Sequence, residues 1–304
     1  GEPLLYPDLP RAVAYAKGKG LKVCLTTNGW LMTDAMLKKL LEEHIDHIIF
    51  SVQTPDTVSF RLRRTEVDFD EYCEKIVSCI AAVLSDGVKT KVTLSFLVTP
   101  WKNIFLPNNK MSIIDNKDDL CEYFSVWLEK ILDRERNGAI LDKIKNRLKQ
   151  IEVQIKKMSM LGWNQLKITD NFMLETRMLG DWIHPGLHSN RVKKAYFGAC
   201  EGLTEHIGIL WNGDLVFCCV DFDGRTNFGN IKSTGIKDAF QKKEIQKIIK
   251  GLRHFRILHP YCQRCLGDVS MVNSIVRQFG SIFYFKFYRQ WWKAKRHKTQ
   301  PVIK

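Results

Sequence analysis

Along the first hundred residues, apolar runs with the length of buried strands alternate with segments whose apolar positions recur every three or four residues. Pro10 to Gly18 reads as a short helix, with Asp8 as its N-cap and with Pro7 and Pro10 suited to an extended lead and a first turn. LKVCLTT, Leu21 to Thr27, has the composition of a buried strand, and Asn28-Gly29 ends it. Thr33 to Glu43 sets Ala35, Met36, Leu37, Leu40 and Leu41 at helical spacing behind Thr33 as a cap. HIIFSV, His47 to Val52, is the next strand; an arginine-rich loop, a helix over about Phe69 to Ser85 and a strand over Thr90 to Pro100 follow. Strands alternating with helices in this way predict an α/β fold with a parallel sheet joined by right-handed crossovers, either an open doubly wound layer or part of a barrel.

The pattern then changes. Asn116 to Met160 is strongly charged, with apolar residues at three- and four-residue intervals, and reads as a helical excursion within about 101–160. Trp163 to Asp170 restores the strand pattern. GILWNGDLVFCC reads as a hairpin whose Asn212-Gly213 pair suits a two-residue type I′ turn.

Composition adds little to the fold and more to the compartment. The 304 residues carry 47 Lys and Arg against 33 Asp and Glu, a net charge of +14 that is spread along the chain until its last segment. Such a balance fits a basic solvated face first, and nucleic acid or an anionic surface only with further support. No apolar run approaches the roughly 20 residues of a spanning helix, and no signal peptide is evident, so a cytoplasmic setting is expected. Nine cysteines in a reducing compartment point to metal or redox chemistry wherever their spacing clusters.

Two constellations carry candidate chemistry. Four strand ends bear polar groups: Gly1-Glu2-Pro3, Thr26 to Gly29, Ser51 to Gln53, and Val98 to Pro100. In parallel α/β sheets ligands gather at such carboxyl ends, although each of these is also an ordinary turn sequence. The second constellation is sharper. Cys200, Gly213 and Cys218 form C-x12-G-x4-C, and Cys262 and Cys265 form a C-x2-C about forty residues later. Four thiolates so arranged can close on one centre, and spacing alone leaves zinc and an iron–sulfur cluster equally open. Cys219, next to Cys218 on the hairpin strand, would point to the other face. Cys73 and Cys79 sit on one helix as core fillers, and His184 and His188 read as loop histidines.

Gly1-Glu2-Pro3-Leu4-Leu5, Thr27-Asn28-Gly29, Ser51 and then Arg64 resemble, in order and spacing, the radical S-adenosylmethionine (SAM) superfamily from its Gly-Gly-Glu-Pro motif onward. The resemblance covers about residues 1–105 and implies a partial (β/α) barrel. It also implies a SAM site in which Gly1 and Glu2 meet the methionyl ammonium, Ser51 lies near the ribose and Arg64 reaches the carboxylate, with Asn28 and Asn103 as weaker members. The residue types suit those groups. The family's CxxxCxxC, which holds the SAM-cleaving 4Fe-4S cluster, would precede Gly1 and is absent from the sequence, so the chain reads as a fragment truncated at its amino terminus and inactive as it stands.

The segment from Lys193 to Asp268 resembles the SPASM or twitch domain of the same enzymes, and implies one auxiliary 4Fe-4S cluster on Cys200, Cys218, Cys262 and Cys265. Full ligation by four thiolates would favour electron relay over substrate binding. The expected division is a radical SAM core at 1–190, an iron–sulfur domain at 191–268 and a basic aromatic helix or tail at 269–304.

The resemblance implies an intact oxidoreductase or maturase in which a 5′-deoxyadenosyl radical abstracts hydrogen from a peptide, sugar or other small substrate. A flavodoxin or ferredoxin would serve as reductant. The alternative is a four-cysteine zinc protein with a basic tail. That tail, SIFYFKFYRQWWKAKRHK, can pack on the body, make weak membrane-surface contact or stack on bases, in that order of expectation, with nucleic acid disfavoured.

Overall fold

A computed structural model describes all residues except 62, 64–65, 86–88, 100–112, 135–137, 159, 161–162, 179–190 and 289–304. The chain forms two compact units, Gly1–Asp181 and Trp182–Lys304.

The first unit opens with a 3-10 turn, Pro3–Leu5, followed by α1 (Leu9–Gly18), β1 (Cys24–Thr27), α2 (Asp34–Glu42), β2 (His47–Gln53), α3 (Thr57–Arg61), α4 (Phe69–Ser85), β3 (Lys91–Val98), α5 (Lys117–Arg134), α6 (Gly138–Lys157), β4 (Trp163–Lys167) and β5 (Phe172–Met178). The sheet order is β1-β2-β3-β5-β4. The first three pairings are parallel and β4 runs antiparallel to β5. The α/β class is as expected, and the sheet formed by the described residues is open.

Several expectations need correction in detail. The strand read over Trp163 to Asp170 stops at Lys167, because Ile168 N and Thr169 N both donate to Phe172 O (2.9 and 3.1 Å) and turn the chain. A second strand, β5, then inserts between β3 and β4, so the sheet is mixed. Strand β1 begins at Cys24 instead of Leu21, since Val23 N is taken by the Asp46 carboxylate at 2.8 Å. Thr33 caps α2 through its hydroxyl, which accepts from Met36 N, whereas Asp8 stands at the N-cap of α1 without a side-chain bond.

Alternation along the strands gives the sheet two unlike faces. Leu25, Ile48, Phe50, Val92, Leu94, Phe96 and Leu174 join one buried core with Leu40, Ile76, Ile80, Phe124 and Trp127 from the helices. Trp127 meets Phe96 edge-on at 5.5 Å and donates from its indole to Pro55 O at 2.9 Å, so its polar atom is satisfied inside the core. Cys73 and Cys79 are buried in α4, within that core. The other face is polar and carries His47, Ser51, Thr93, Ser95, Glu175 and Arg177.

Burial holds His47 below its usual pKa, while its Nε2 lies 2.7 Å from Thr93 Oγ1. A histidine that resists protonation in the fold binds fewer protons than in the unfolded chain, so stability rises with pH through the interval below about 6.5. Wild-type protein should therefore lose melting temperature between pH 7 and pH 5, and His47→Asn should flatten that slope. An unchanged slope would remove His47 as its source.

The second unit contains β6 (Gly208–Ile209), β7 (Asp214–Val216), β8 (Gly229–Asn230), α7 (Ile236–Gln241), α8 (Lys243–Arg253), α9 (Pro260–Leu266) and α10 (Met271–Ile282), which runs into a π-helical stretch, Phe283–Tyr288. The three strands are antiparallel and share a core of Leu203, Leu215, Phe217, Phe228, Ala239, Ile245, Ile249, Leu252 and Ile257 with α7 and α8. The hairpin does not use the expected two-residue type I′ turn. Gly213 N donates to Leu210 O at 2.9 Å, and only Gly213 in that turn has a positive φ, at 91°, whereas type I′ needs two such residues. Asn212 instead accepts from Asp214 N at 3.1 Å, a local bond that fixes the turn.

Candidate functional site

The opening 3-10 turn and the carboxyl end of β1 are held together by one carboxylate. Glu2 Oε1 accepts from Leu4 N at 3.0 Å and from Thr27 Oγ1 at 2.5 Å, and its Oε2 accepts from Asn28 N at 2.9 Å. A carboxylate offers about four acceptor directions, so the same group that caps the 3-10 turn retains capacity for a cationic ligand. Gly1 is exposed, and a Cβ there would meet no atom within 4 Å.

Asn28 turns inward. Its Oδ1 accepts from Trp30 N at 2.8 Å, and its carbonyl accepts from Tyr72 Oη at 2.7 Å. Burial pushes the Tyr72 phenol up to about 12, so it stays a donor at neutral pH. Gly29 follows with φ +79°, and a Cβ there would lie 2.3 Å from Ile76 Cδ1 and 2.9 Å from Phe50 Cδ1. Only glycine accommodates both the backbone angle and the core beneath it.

Ser51 is half-buried at the end of β2, where the pairing with β3 shifts register between Ser51 and Gln53. Ser51 pairs with Ser95, and Ser95 with Glu175, so three polar side chains share one row across the polar face. Glu175 is fully buried and was not anticipated from the sequence. Its Oε1 accepts from Ser95 Oγ at 3.0 Å and Arg177 Nε at 2.7 Å, and its Oε2 accepts from Gln165 Nε2 at 3.1 Å. The signal was the alternation in Phe172 to Met178, where Met173, Glu175 and Arg177 form one side. Arg64 and Asn103 lie outside the described residues, as do His184 and His188. The neighbouring Arg63 donates from Nη1 to Val52 O at 2.9 Å and rests 5.3 Å from the Phe60 ring centre.

In the second unit, Cys262 and Cys265 stand three apart on α9, whose first turn is preset by Pro260. Of the other two, Cys200 lies ahead of β6 and Cys218 follows β7. Cys218 and Cys219 are not on a strand as expected, because β7 ends at Val216 and the chain bends. The buried Asp221 causes the bend: it accepts from Arg225 N at 2.9 Å, Thr226 N at 2.6 Å and Thr226 Oγ1 at 2.5 Å. Thr226 Oγ1 in turn accepts from Phe217 N at 2.9 Å, which fixes the residue before Cys218. Cys218 is half-buried and Cys219 exposed.

Gly202 lets the Cys200 loop approach this bend, since a Cβ there would sit 3.3 Å from Cys218 Cβ, 3.6 Å from Cys200 Sγ and 3.1 Å from Phe217 O. Its N–H donates to Cys200 Sγ at 3.4 Å. Burial raises the thiols of Cys218, Cys262 and Cys265, the last to about 11, and the charges of Cys200 and Cys218 push Cys262 and Cys265 further up. Thiols near enough to oppose one another's ionisation become thiolates when a cationic centre joins them.

Among the described residues, no three His, Cys, Asp or Glu side chains converge as a single metal ion requires. Four thiols are a donor set that a 4Fe-4S cluster accepts, and one that zinc accepts as well.

Comparison with known proteins follows the same division. The Radical SAM superfamily model matches residues 1–99, and the iron-sulfur cluster-binding SPASM model matches residues 200–266. A curated relative, Fe-coproporphyrin III synthase of Methanosarcina barkeri, is 32% identical over 89 residues, which are 29% of this chain and 22% of the relative. Among solved structures, Streptococcus suis SuiB bound to S-adenosylmethionine matches at 15% identity and a TM-score of 0.49, over 91% of this chain and 58% of SuiB. Native anSMEcpe with bound AdoMet matches at 16% identity and a TM-score of 0.42, over 97% and 82% of the two chains. The chain thus spans less than two thirds of the curated relative and of SuiB.

Proposed function

From a chain that carries a radical SAM region at residues 1–99 and a SPASM region at residues 200–266, two regions that imply SAM and 4Fe-4S clusters, we propose a radical SAM enzyme with one auxiliary 4Fe-4S cluster. In this reading it oxidises or otherwise modifies a peptide, sugar or other small substrate, with a flavodoxin or ferredoxin as electron source. When bound, the cofactors supply one-electron chemistry and hydrogen abstraction.

The chain's own residues hold and orient. Glu2 joins the Pro3–Leu5 turn to the end of β1 and keeps acceptor capacity for the SAM ammonium. Ser51 offers a hydroxyl to the ribose from a half-buried position, Asn28 fixes the loop between them, and Arg64 and Asn103 complete the site. Glu175, clamped by three donors, keeps the polar face of the sheet ordered along Ser51's row. Cys200, Cys218, Cys262 and Cys265 ligate the auxiliary cluster within a domain at about 191–268, and four protein ligands leave no iron open, which suits relay of an electron from substrate.

The observation that carries the reading is the approach of the Cys200 loop to Cys218 across Gly202, with α9 presenting the C-x2-C pair into the same electrostatic neighbourhood. Anaerobic reconstitution should give a brown protein with about four iron atoms per chain at these cysteines and no tightly held zinc. One zinc and no iron in a folded protein would overturn it.

A further inference from the structure

Helix α10 is inverted relative to the usual amphipathic pattern. Its polar residues face the body of its own unit. Ser274 and Gln278 are 1% and 5% exposed, and Ser274 Oγ donates to Lys193 O at 3.3 Å. Gln278 Oε1 accepts from Tyr196 N at 3.1 Å, and Ser281 Oγ accepts from Ala199 N at 3.0 Å. The apolar residues face outward: Met271, Val272, Val276, Phe279, Phe283 and Phe287 are each between 61% and 69% exposed. At about 100° per residue these positions fall on one side of the helix, and they form a stripe that continues into the π-helical stretch. Scattered exposed apolar residues need no explanation, but a contiguous stripe of this kind marks an interaction surface.

We propose that this stripe docks on an anionic membrane surface, lying in the plane of the headgroups. The charge of the segment selects that occupant. After Asp268 the sequence contains no Asp or Glu, and residues 289–304 add Arg289, Lys293, Lys295, Arg296, Lys298 and Lys304 beside Trp291 and Trp292. Aromatic residues with Lys and Arg are the composition of interfacial helices, in which apolar burial and attraction to acidic lipids act together. A second copy would bring the same positive sign against itself. Spanning is not required: among the described residues no helix is long and apolar enough to cross a membrane.

The test is co-sedimentation of the full chain with large vesicles of phosphatidylcholine and phosphatidylglycerol, against phosphatidylcholine alone. Wild-type protein should pellet with the anionic vesicles and bind neutral ones about tenfold more weakly. Val276→Asp should cut anionic binding by about tenfold with circular dichroism and melting unchanged, because the side chain it replaces faces outward. Lys293→Glu with Lys295→Glu should do the same without touching the stripe. Absence of binding to anionic vesicles, or binding that Val276→Asp leaves intact, would overturn the proposal. So would a wild-type dimer that Val276→Asp converts to monomer while vesicle binding is nil, which would assign the stripe to a second copy.

Discussion

Cys262→Ala, reconstituted anaerobically, should retain less than about a tenth of the cluster iron of wild type, while Cys219→Ala retains nearly all of it. The contrast follows from where each thiol lies. Cys262 stands on α9 in the electrostatic reach of Cys200, Cys218 and Cys265, and losing it removes one corner of the ligand set. Cys219 is exposed, although it lies close enough to Cys200 for their charges to interact. Substituting Cys200, Cys218 or Cys265 should resemble Cys262→Ala. Iron and labile sulfide per chain, together with the electron paramagnetic resonance of the reduced protein, measure the outcome. The far-ultraviolet dichroism of the α/β unit should persist, because its core contains none of the four ligands. Full iron in Cys262→Ala, or loss in Cys219→Ala, would mean that the ligand set is misassigned.

Glu2→Gln should weaken SAM binding by about tenfold to a hundredfold, measured by equilibrium dialysis. Two effects add. The amide removes the negative charge proposed to face the ammonium, and a hydrogen bond to a charged group contributes about 1.5–3 kcal/mol. The amide also replaces one of two acceptor oxygens with a donor, whereas Leu4 N, Thr27 Oγ1 and Asn28 N all require acceptors in the present arrangement. Ser51→Ala, which removes one neutral hydroxyl, should cost severalfold at most. If Glu2→Gln binds SAM as wild type does while Ser51→Ala does not, the ammonium is held elsewhere and Glu2 only joins the turn to the strand.

The local rules read well where a single residue decides. Thr33 caps α2 because its hydroxyl reaches Met36 N, and Asn28-Gly29 ends β1 because only glycine fits over Ile76 and Phe50. The four cysteines stand out by spacing alone, C-x12-G-x4-C followed by C-x2-C. Where tertiary structure decides, the sequence misled. Nothing local shows that Asp221 bends the chain after β7, since its partners Arg225 and Thr226 are ordinary loop residues. Strand β5 escapes the local reading although its alternation is plain, because it follows the Trp163 run after a turn at 168–171 and nothing local says that the chain reverses there. Glu175 was missed with it, since a buried glutamate is recognised only once Ser95, Gln165 and Arg177 are seen around it.

The pairing of β5 with β3 has a consequence for how the first unit assembles. The bond from Ser95 to Glu175 spans 80 positions, with α5 and α6 in between, while β4 and β5 are joined by a turn at 168–171. Closing a long loop costs more chain entropy than closing a short one, and contacts of high sequence separation form late. The β4–β5 hairpin can therefore exist as a local unit before it docks, and β3 gains its second neighbour only at that step. In hydrogen exchange during refolding, amides of β2 should become protected before those of β5 that bond to β3, with the docking of α5 and α6 setting the interval between them.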